Sequence, residues 1–135
     1  MLCAAACALP AVAGAASPAP ARSSAAHSAL ATWYGPGLYG HRTACGQTLS
    51  HRLLGVAHRR LPCGTPVQIA YAGRTIIVPV VDRGPWSGHA KYDLTYAAAK
   101  ALGMAETERV TVAWLSPGAP LTAPAPGSPT GGFSS

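Results

Sequence analysis

Asp82 is the residue of this chain best placed to do chemistry. It follows the apolar run Thr75–Val81 and precedes Arg83-Gly84-Pro85-Trp86. The run reads as a buried strand, and Gly84-Pro85 breaks it into a turn. A carboxyl group at the rim of a strand is partly desolvated, which raises its pKa and lets it hold a proton near neutral pH. Trp86 beside it offers the flat apolar face on which a sugar ring stacks. The same placement also suits a plain structural role, since Asp in a turn accepts hydrogen bonds from nearby backbone N–H groups. Acids are scarce here: the chain has only four, Asp82, Asp93, Glu106 and Glu108, so any proton-transfer role falls on very few groups.

The elements that must position these residues fit in one small domain, the chain being 135 residues long. Residues 1–21 are almost wholly small and apolar and read as a secretory signal peptide, although no Lys or Arg precedes the apolar core. That core is too short to span a bilayer. Cys7 lacks the upstream leucine of a lipoprotein processing site, so neither membrane insertion nor lipidation is expected. Residues 22–28 read as a linker and residues 116–135, rich in Pro, Gly and Ser, as a disordered tail. The folded part is then 29–115, a small core that gains from a covalent tie. Cys45 and Cys63, the pair left in an exported chain, are expected to form a disulfide. Zinc is the rival reading, with His41, His51 and His58 near by, but the spacing lacks paired-ligand patterns. Between residues 29 and 115 lie nine Lys or Arg against the four acids, a balance of +5. Arg42, Arg52, Arg59 and Arg60 concentrate it on one stretch. Such a face attracts polyanions, here anionic wall polymers rather than nucleic acid, or is simply solvated.

Ala31–Tyr34 reads as a strand stopped by Gly35-Pro36-Gly37, followed by an irregular loop to Gln47. Leu53–Ala57 is a short strand candidate. Val67–Tyr71 and Arg74–Val81 make a hairpin around Ala72-Gly73, and Pro79 marks an edge or bulge. Thr95 is the expected N-cap of a short helix Tyr96–Leu102, which Gly103 ends. Arg109–Leu115 alternates as a last strand, with Trp114 expected in the core. Many short strands and one short helix favour a small β-barrel.

Six segments then resemble, in order, the RlpA-like double-psi β-barrel family. They are Ala31-Thr32-Trp33-Tyr34-Gly35, Thr43-Ala44-Cys45-Gly46, Val56-Ala57-His58, Leu61-Pro62-Cys63-Gly64-Thr65, Val81-Asp82-Arg83-Gly84-Pro85-Trp86, and Tyr92-Asp93-Leu94-Thr95 with the helix after it. The resemblance implies a mostly β fold: a six-stranded double-psi barrel with one or two short helices, a disulfide-tied loop and disordered termini. It also implies a secreted, cell-envelope protein of bacteria, acting as a monomer on peptidoglycan glycan strands without cofactor or metal. Family members are lytic transglycosylases that cut the MurNAc-β-1,4-GlcNAc bond and leave 1,6-anhydro ends. Because the sugar's own 6-hydroxyl attacks, one carboxyl can act first as acid and then as base, whereas a hydrolase needs two.

Carried over by position, Asp82 is that acid and His58 its partner, bonded to substrate or to Asp82. Each has a structural alternative, turn capping for Asp82 and backbone satisfaction for His58. Gln47, Arg83, Trp86, Asp93, Tyr34 and Tyr39 are the expected substrate-binding residues. Arg83 is expected on a substrate carboxylate or in a rim ion pair, and Asp93, which matches an acid expansins need, reads also as support for the helix cap. Trp33 is a further candidate platform or a core residue. Many members carry Glu where this chain has Gln47. An amide cannot transfer a proton, so a non-catalytic, expansin-like wall-binding module is the competing expectation.

Overall fold

The computed structural model of the chain describes residues 23–122 together with Ala11 and Gly14. The expected signal peptide (those two residues apart), Cys3, Cys7 and the tail beyond residue 122 lie outside the described residues. The strands are β1 (His27–Tyr34), β2 (Val56–Ala57), β3 (Pro66–Tyr71), β4 (Arg74–Asp82), β5 (Tyr92–Thr95) and β6 (Glu108–Trp114), with one helix, α1 (Tyr96–Leu102), between β5 and β6. They close into a barrel in the order β1-β5-β2-β4-β3-β6. β1 runs parallel to β5, and β2 parallel to β4; the other neighbours are antiparallel.

Period-two burial builds the interior. Val56, Val67, Ile69, Val78, Val80, Leu94 and Val112 are wholly inaccessible and form one cluster with Ala31, Tyr92 and Leu102. β-branched residues dominate it because they fit a pleated, buried surface. α1 covers the barrel with Ala98, Ala99 and Leu102. Its N-cap is Thr95, whose hydroxyl accepts from Ala98 N, and Gly103 closes it in the left-handed region at φ 73°. Cys45 and Cys63 are disulfide-bonded across 18 residues, a closure worth about 3 kcal/mol in the chain-entropy account. The sulfurs are thereby removed as zinc ligands.

Several bounds differ from those read in the sequence. β1 starts at His27, inside the expected linker, because Ser24 N–H donates to Trp114 O and Ser24 Oγ accepts from Trp114 N–H, both at 2.8 Å. β2 is only two residues long, and the residue before it, Gly55, is tied to Thr95 at the end of β5 through side chain and backbone. Its N–H donates to Thr95 Oγ1 at 3.1 Å and its carbonyl accepts from Thr95 N–H at 3.0 Å. The short β2 leaves Ile77 of β4 to find partners outside the sheet, and Thr122 supplies them, exchanging hydrogen bonds with its N–H and C=O. Trp114 is not core: it stands 37% exposed at the barrel end, its indole N–H on Tyr92 Oη at 2.8 Å and His27 edge-on to its ring. Tyr92 is the side chain that fills that end, buried to 1%.

Two substitutions should move stability in opposite directions. A methyl group at Gly55 would run into both γ-carbons of Val81, one of them 2.7 Å away; Val81 is β-branched and buried, with little room to turn. Gly55→Ala is expected to cost about 1–3 kcal/mol, as overpacked cores do. Ala72 sits at φ 48° in the β3–β4 turn, where Asn is better tolerated, so Ala72→Asn should gain about 1 kcal/mol. Denaturant melts of both variants check the signs.

Candidate functional site

The site grows out of strand register. Asp82 of β4 lies beside Ala57 of β2, Ala57 beside Asp93 of β5, and Asp93 beside Thr32 of β1. A single small residue, Ala57, thus separates two of the chain's four acids. Two residues along β1, Tyr34 reaches back over the row and its hydroxyl donates to Asp82 Oδ2 at 3.2 Å. The loop after β1 closes over the end of β4: Cys45 N–H donates to Val81 O at 3.2 Å, and Ala44 N–H to Asp82 Oδ1 at 2.9 Å. Arg83 N–H donates to the same Oδ1 at 2.8 Å.

Asp82 therefore receives three donors, two from backbone and one from Tyr34, a setting suited to a carboxylate that only accepts. The turn-capping contacts weighed in the sequence are present at Asp82, through the N–H groups of Ala44 and Arg83. Asp93 is its opposite. The side chain is partly buried, and its Oδ1 is fully buried with no hydrogen-bond partner among the described residues. Burial, and secondarily the negative charge of Asp82, raise its pKa to about 6. Helix-cap support, expected of Asp93, is not its role, because Thr95 does the capping. The Tyr34 hydroxyl is held protonated well above its ordinary range by burial first, then by the charge and hydrogen bond of Asp82 and the charge of Asp93.

His58 follows β2, with its backbone N–H on Asp82 O at 3.2 Å. Its ring does not bond the Asp82 carboxyl. Nδ1 accepts from Arg60 N–H at 3.1 Å and Leu61 N–H at 3.0 Å, which leaves the proton of the neutral ring on Nε2. Burial lowers the His58 pKa, followed by the positive charges of Arg83, Arg59, His27 and Lys91. The ring also packs on Tyr92 with centroids 5.0 Å apart.

Arg83 is not free for a substrate carboxylate in the way expected. Its Nη1 donates to Leu61 O at 2.8 Å and His58 O at 3.3 Å, and its Nη2 to Cys63 Sγ at 3.4 Å. Gln47 is exposed and tied into the loop, its Oε1 accepting from the buried Thr43 hydroxyl at 3.0 Å. Its amide nitrogen remains as a donor. Trp86 is 74% exposed. Tyr39 is exposed and stands edge-on to His51 on the neighbouring loop. Trp33, adjacent to Tyr34, points to the other face of β1. There it packs on Tyr96 with centroids 5.6 Å apart, donates to Ala105 O, and lines a pocket of about 200 Å³ under α1.

The register thus unites Tyr34, Asp82 and Asp93, with His58, Arg83 and Gln47 on the loops that border them, and leaves Trp33 apart. Sequence reasoning missed Thr43 and the amide of Ala44. The first had a signal, a hydroxyl four residues before Gln47; the second, a backbone donor, had none. His, Cys, Asp and Glu form no group of three fit for a metal ion among the described residues.

Three comparisons bear on this arrangement. A probable endolytic peptidoglycan transglycosylase RlpA of Synechocystis is 43% identical over 77 residues, which are 56% of this chain and 24% of that protein. The endolytic peptidoglycan transglycosylase RlpA of Pseudomonas aeruginosa is 41% identical over 91 residues, 64% of this chain and 27% of that protein. The chain thus spans about a quarter of the length of these curated relatives. Among solved structures, a Streptomyces papain inhibitor aligns at TM-score 0.51 and 25% identity over 67% of this chain and 93% of that one. The family described as lytic transglycolase matches residues 26–114, which take in every strand from β1 to β6. The chain belongs to this lytic transglycolase family of double-psi β-barrels.

Proposed function

We propose that this chain is an exported peptidoglycan lytic transglycosylase whose proton is carried by the Asp82–Asp93 pair. The observation that carries the reading is the contrast between the two carboxyls: one is saturated with donors, the other is raised to about 6 and lacks a partner. Such divergence is how one site supplies both an acid and a charge. Membership of the lytic transglycolase family and the names of the curated relatives support the substrate class.

In this reading the glycan lies across the row with a sugar on Trp86. Asp93 donates its proton to the oxygen between MurNAc and GlcNAc as the bond from C1 breaks. Asp82, charged, faces the positive charge that develops on the ring. The C6 hydroxyl of the same MurNAc then attacks C1, and its proton returns to the carboxyl pair, so neither water nor a further base is consumed. His58 Nε2–H and the Gln47 amide are donors for sugar hydroxyl or acetamido oxygens. Gln47 cannot be the second acid; Asp93 takes that part. The acid–base role read for Asp82 alone thus becomes one shared across β2.

A second reading, glycan binding without cleavage, is favoured by one feature: every donor at Asp82 is already present before substrate arrives. Incubation of the purified chain with sacculi, followed by mass spectrometry of soluble products, separates the two. The first reading expects 1,6-anhydromuropeptides, and a loss of about 100-fold or more in either Asp82→Asn or Asp93→Asn. Binding to sacculi with no anhydro product in the wild type leaves only the second.

The pH dependence follows from Asp93. Its acid form is present below about 6 and lost above, so release should decline as pH rises through that value. In Asp82→Asn the Asp93 carboxyl, followed by carbon NMR, should titrate lower, because one of the two causes of its shift is gone. Folding is linked to the same group. A carboxyl pKa raised in the folded state contributes stability that is present at low pH and fades as pH rises from the ordinary 3.8 toward 6. Asp93→Asn should therefore raise the Tm at pH 7.5 by several degrees (about 4–8 °C per kcal/mol for a domain of this size). At pH 3.5 it should raise it little.

A further inference from the structure

We propose that Arg83 is a positioning residue: its guanidinium fastens the loop 58–63 to the end of β4 and so fixes His58 relative to the Asp82–Asp93 pair. This deepens the transglycosylase reading by naming what holds its site together, rather than what touches the sugar.

The evidence is a closed circuit of contacts. From Asp82 the chain passes to Arg83, whose Nη2 meets Cys63 Sγ at 3.4 Å. Cys63 is bonded to Cys45, Cys45 follows Ala44, and Ala44 N–H returns to Asp82 Oδ1 at 2.9 Å. One covalent bridge and two hydrogen bonds thus join the loop before β2, the loop after it and the strand end that carries the acid. The other guanidinium nitrogen, Nη1, holds Leu61 O and His58 O. Leu61 N–H is in turn one of the two donors that fix His58 Nδ1. The lacing is reciprocal, because Arg59 Nε donates to Pro85 O and His58 N–H to Asp82 O. The planar fork of an arginine sets donors on two carbonyls and a sulfur from fixed, separated positions; a lysine ammonium has three donors too, but on one compact charge at the end of a flexible stem.

The test uses the full chain with its disulfide intact, comparing Arg83→Lys, which keeps the charge but not the fork, with Arg83→Gln, which keeps neither. Hydrogen exchange at Ala44 and Leu61 should quicken roughly tenfold or more in both variants. The nitrogen chemical shift of His58 Nδ1 should move away from that of a hydrogen-bonded acceptor. Anhydromuropeptide release should fall about ten- to a hundredfold in kcat/KM in both variants, together with the quickened exchange, because the displaced His58 loses its sugar contact and the loop beside the acid pair loosens. A fall in kcat/KM with wild-type exchange and an unmoved His58 nitrogen shift would make Arg83 a direct substrate contact and overturn the proposal. So would wild-type exchange in Arg83→Lys, which would show that charge alone suffices. Mild reduction of the wild-type disulfide cuts the same circuit at another link and should also quicken exchange at Ala44; unchanged exchange there sinks the idea without any variant. If the wild type releases no product, the transglycosylase reading fails and the exchange and nitrogen-shift outcomes still decide this one.

Discussion

The carboxylate of Asp82 is the one group on which three otherwise separate segments converge. The loop after β1 reaches it through Ala44, the end of β1 through Tyr34, and its own turn through Arg83. A hydrogen bond to a charged acceptor is shorter and about twice as strong as a neutral one, so a single acid in this place organises the irregular backbone that a six-stranded barrel leaves at its rim. That organisation has a chemical consequence. A carboxyl group whose oxygens are engaged by donors has little room for a proton of its own, because a proton on either oxygen would compete with a donor already there.

The proposed reaction assigns the proton to a second carboxyl, which strand register sets beside the first. In the order β4-β2-β5, Ala57 brings Asp93 abreast of Asp82 with only a methyl group between. Burial is the larger influence on Asp93 and the neighbouring charge the smaller. A carboxyl there is tuned mainly by the wall of the barrel, which the fold supplies in any case. In the proposed reaction the two carboxyls, differently surrounded, divide the work of acid and charge between them. The amide at Gln47 is compatible with this division because its oxygen is already engaged by Thr43.

Much of the frame was legible in the sequence. Alternation exposed the strands, Thr95 and Gly103 bounded the helix, and the remaining cysteine pair announced its bond. What stayed hidden shares one physical cause: the deciding partners are backbone groups, which leave no mark in residue types. Ala44 N–H and Arg83 N–H engage Oδ1 of Asp82, Arg60 N–H and Leu61 N–H settle which nitrogen of His58 carries the proton, and His58 O and Leu61 O occupy Arg83. Trp114 misled for another reason. Its strand alternates as a core strand should, but it sits at the last position, where the barrel ends and Tyr92 takes the interior.

An apparent conflict remains to be resolved in physical terms. Cations outnumber acids in this chain by ten to four, and a nearby guanidinium ordinarily stabilises a carboxylate and lowers its pKa. Asp93 is raised all the same, and no positive charge is among its causes. The explanation is that the arginines nearest the site point at carbonyls. Arg83 faces His58 O and Leu61 O, and Arg59 faces Pro85 O. Their charge acts on His58, which they help to keep neutral. The clamps that shape the rim therefore also keep the acid pair uncompensated. An arginine released from those carbonyls and swung toward Asp93 would remove the very property that lets that carboxyl hold a proton.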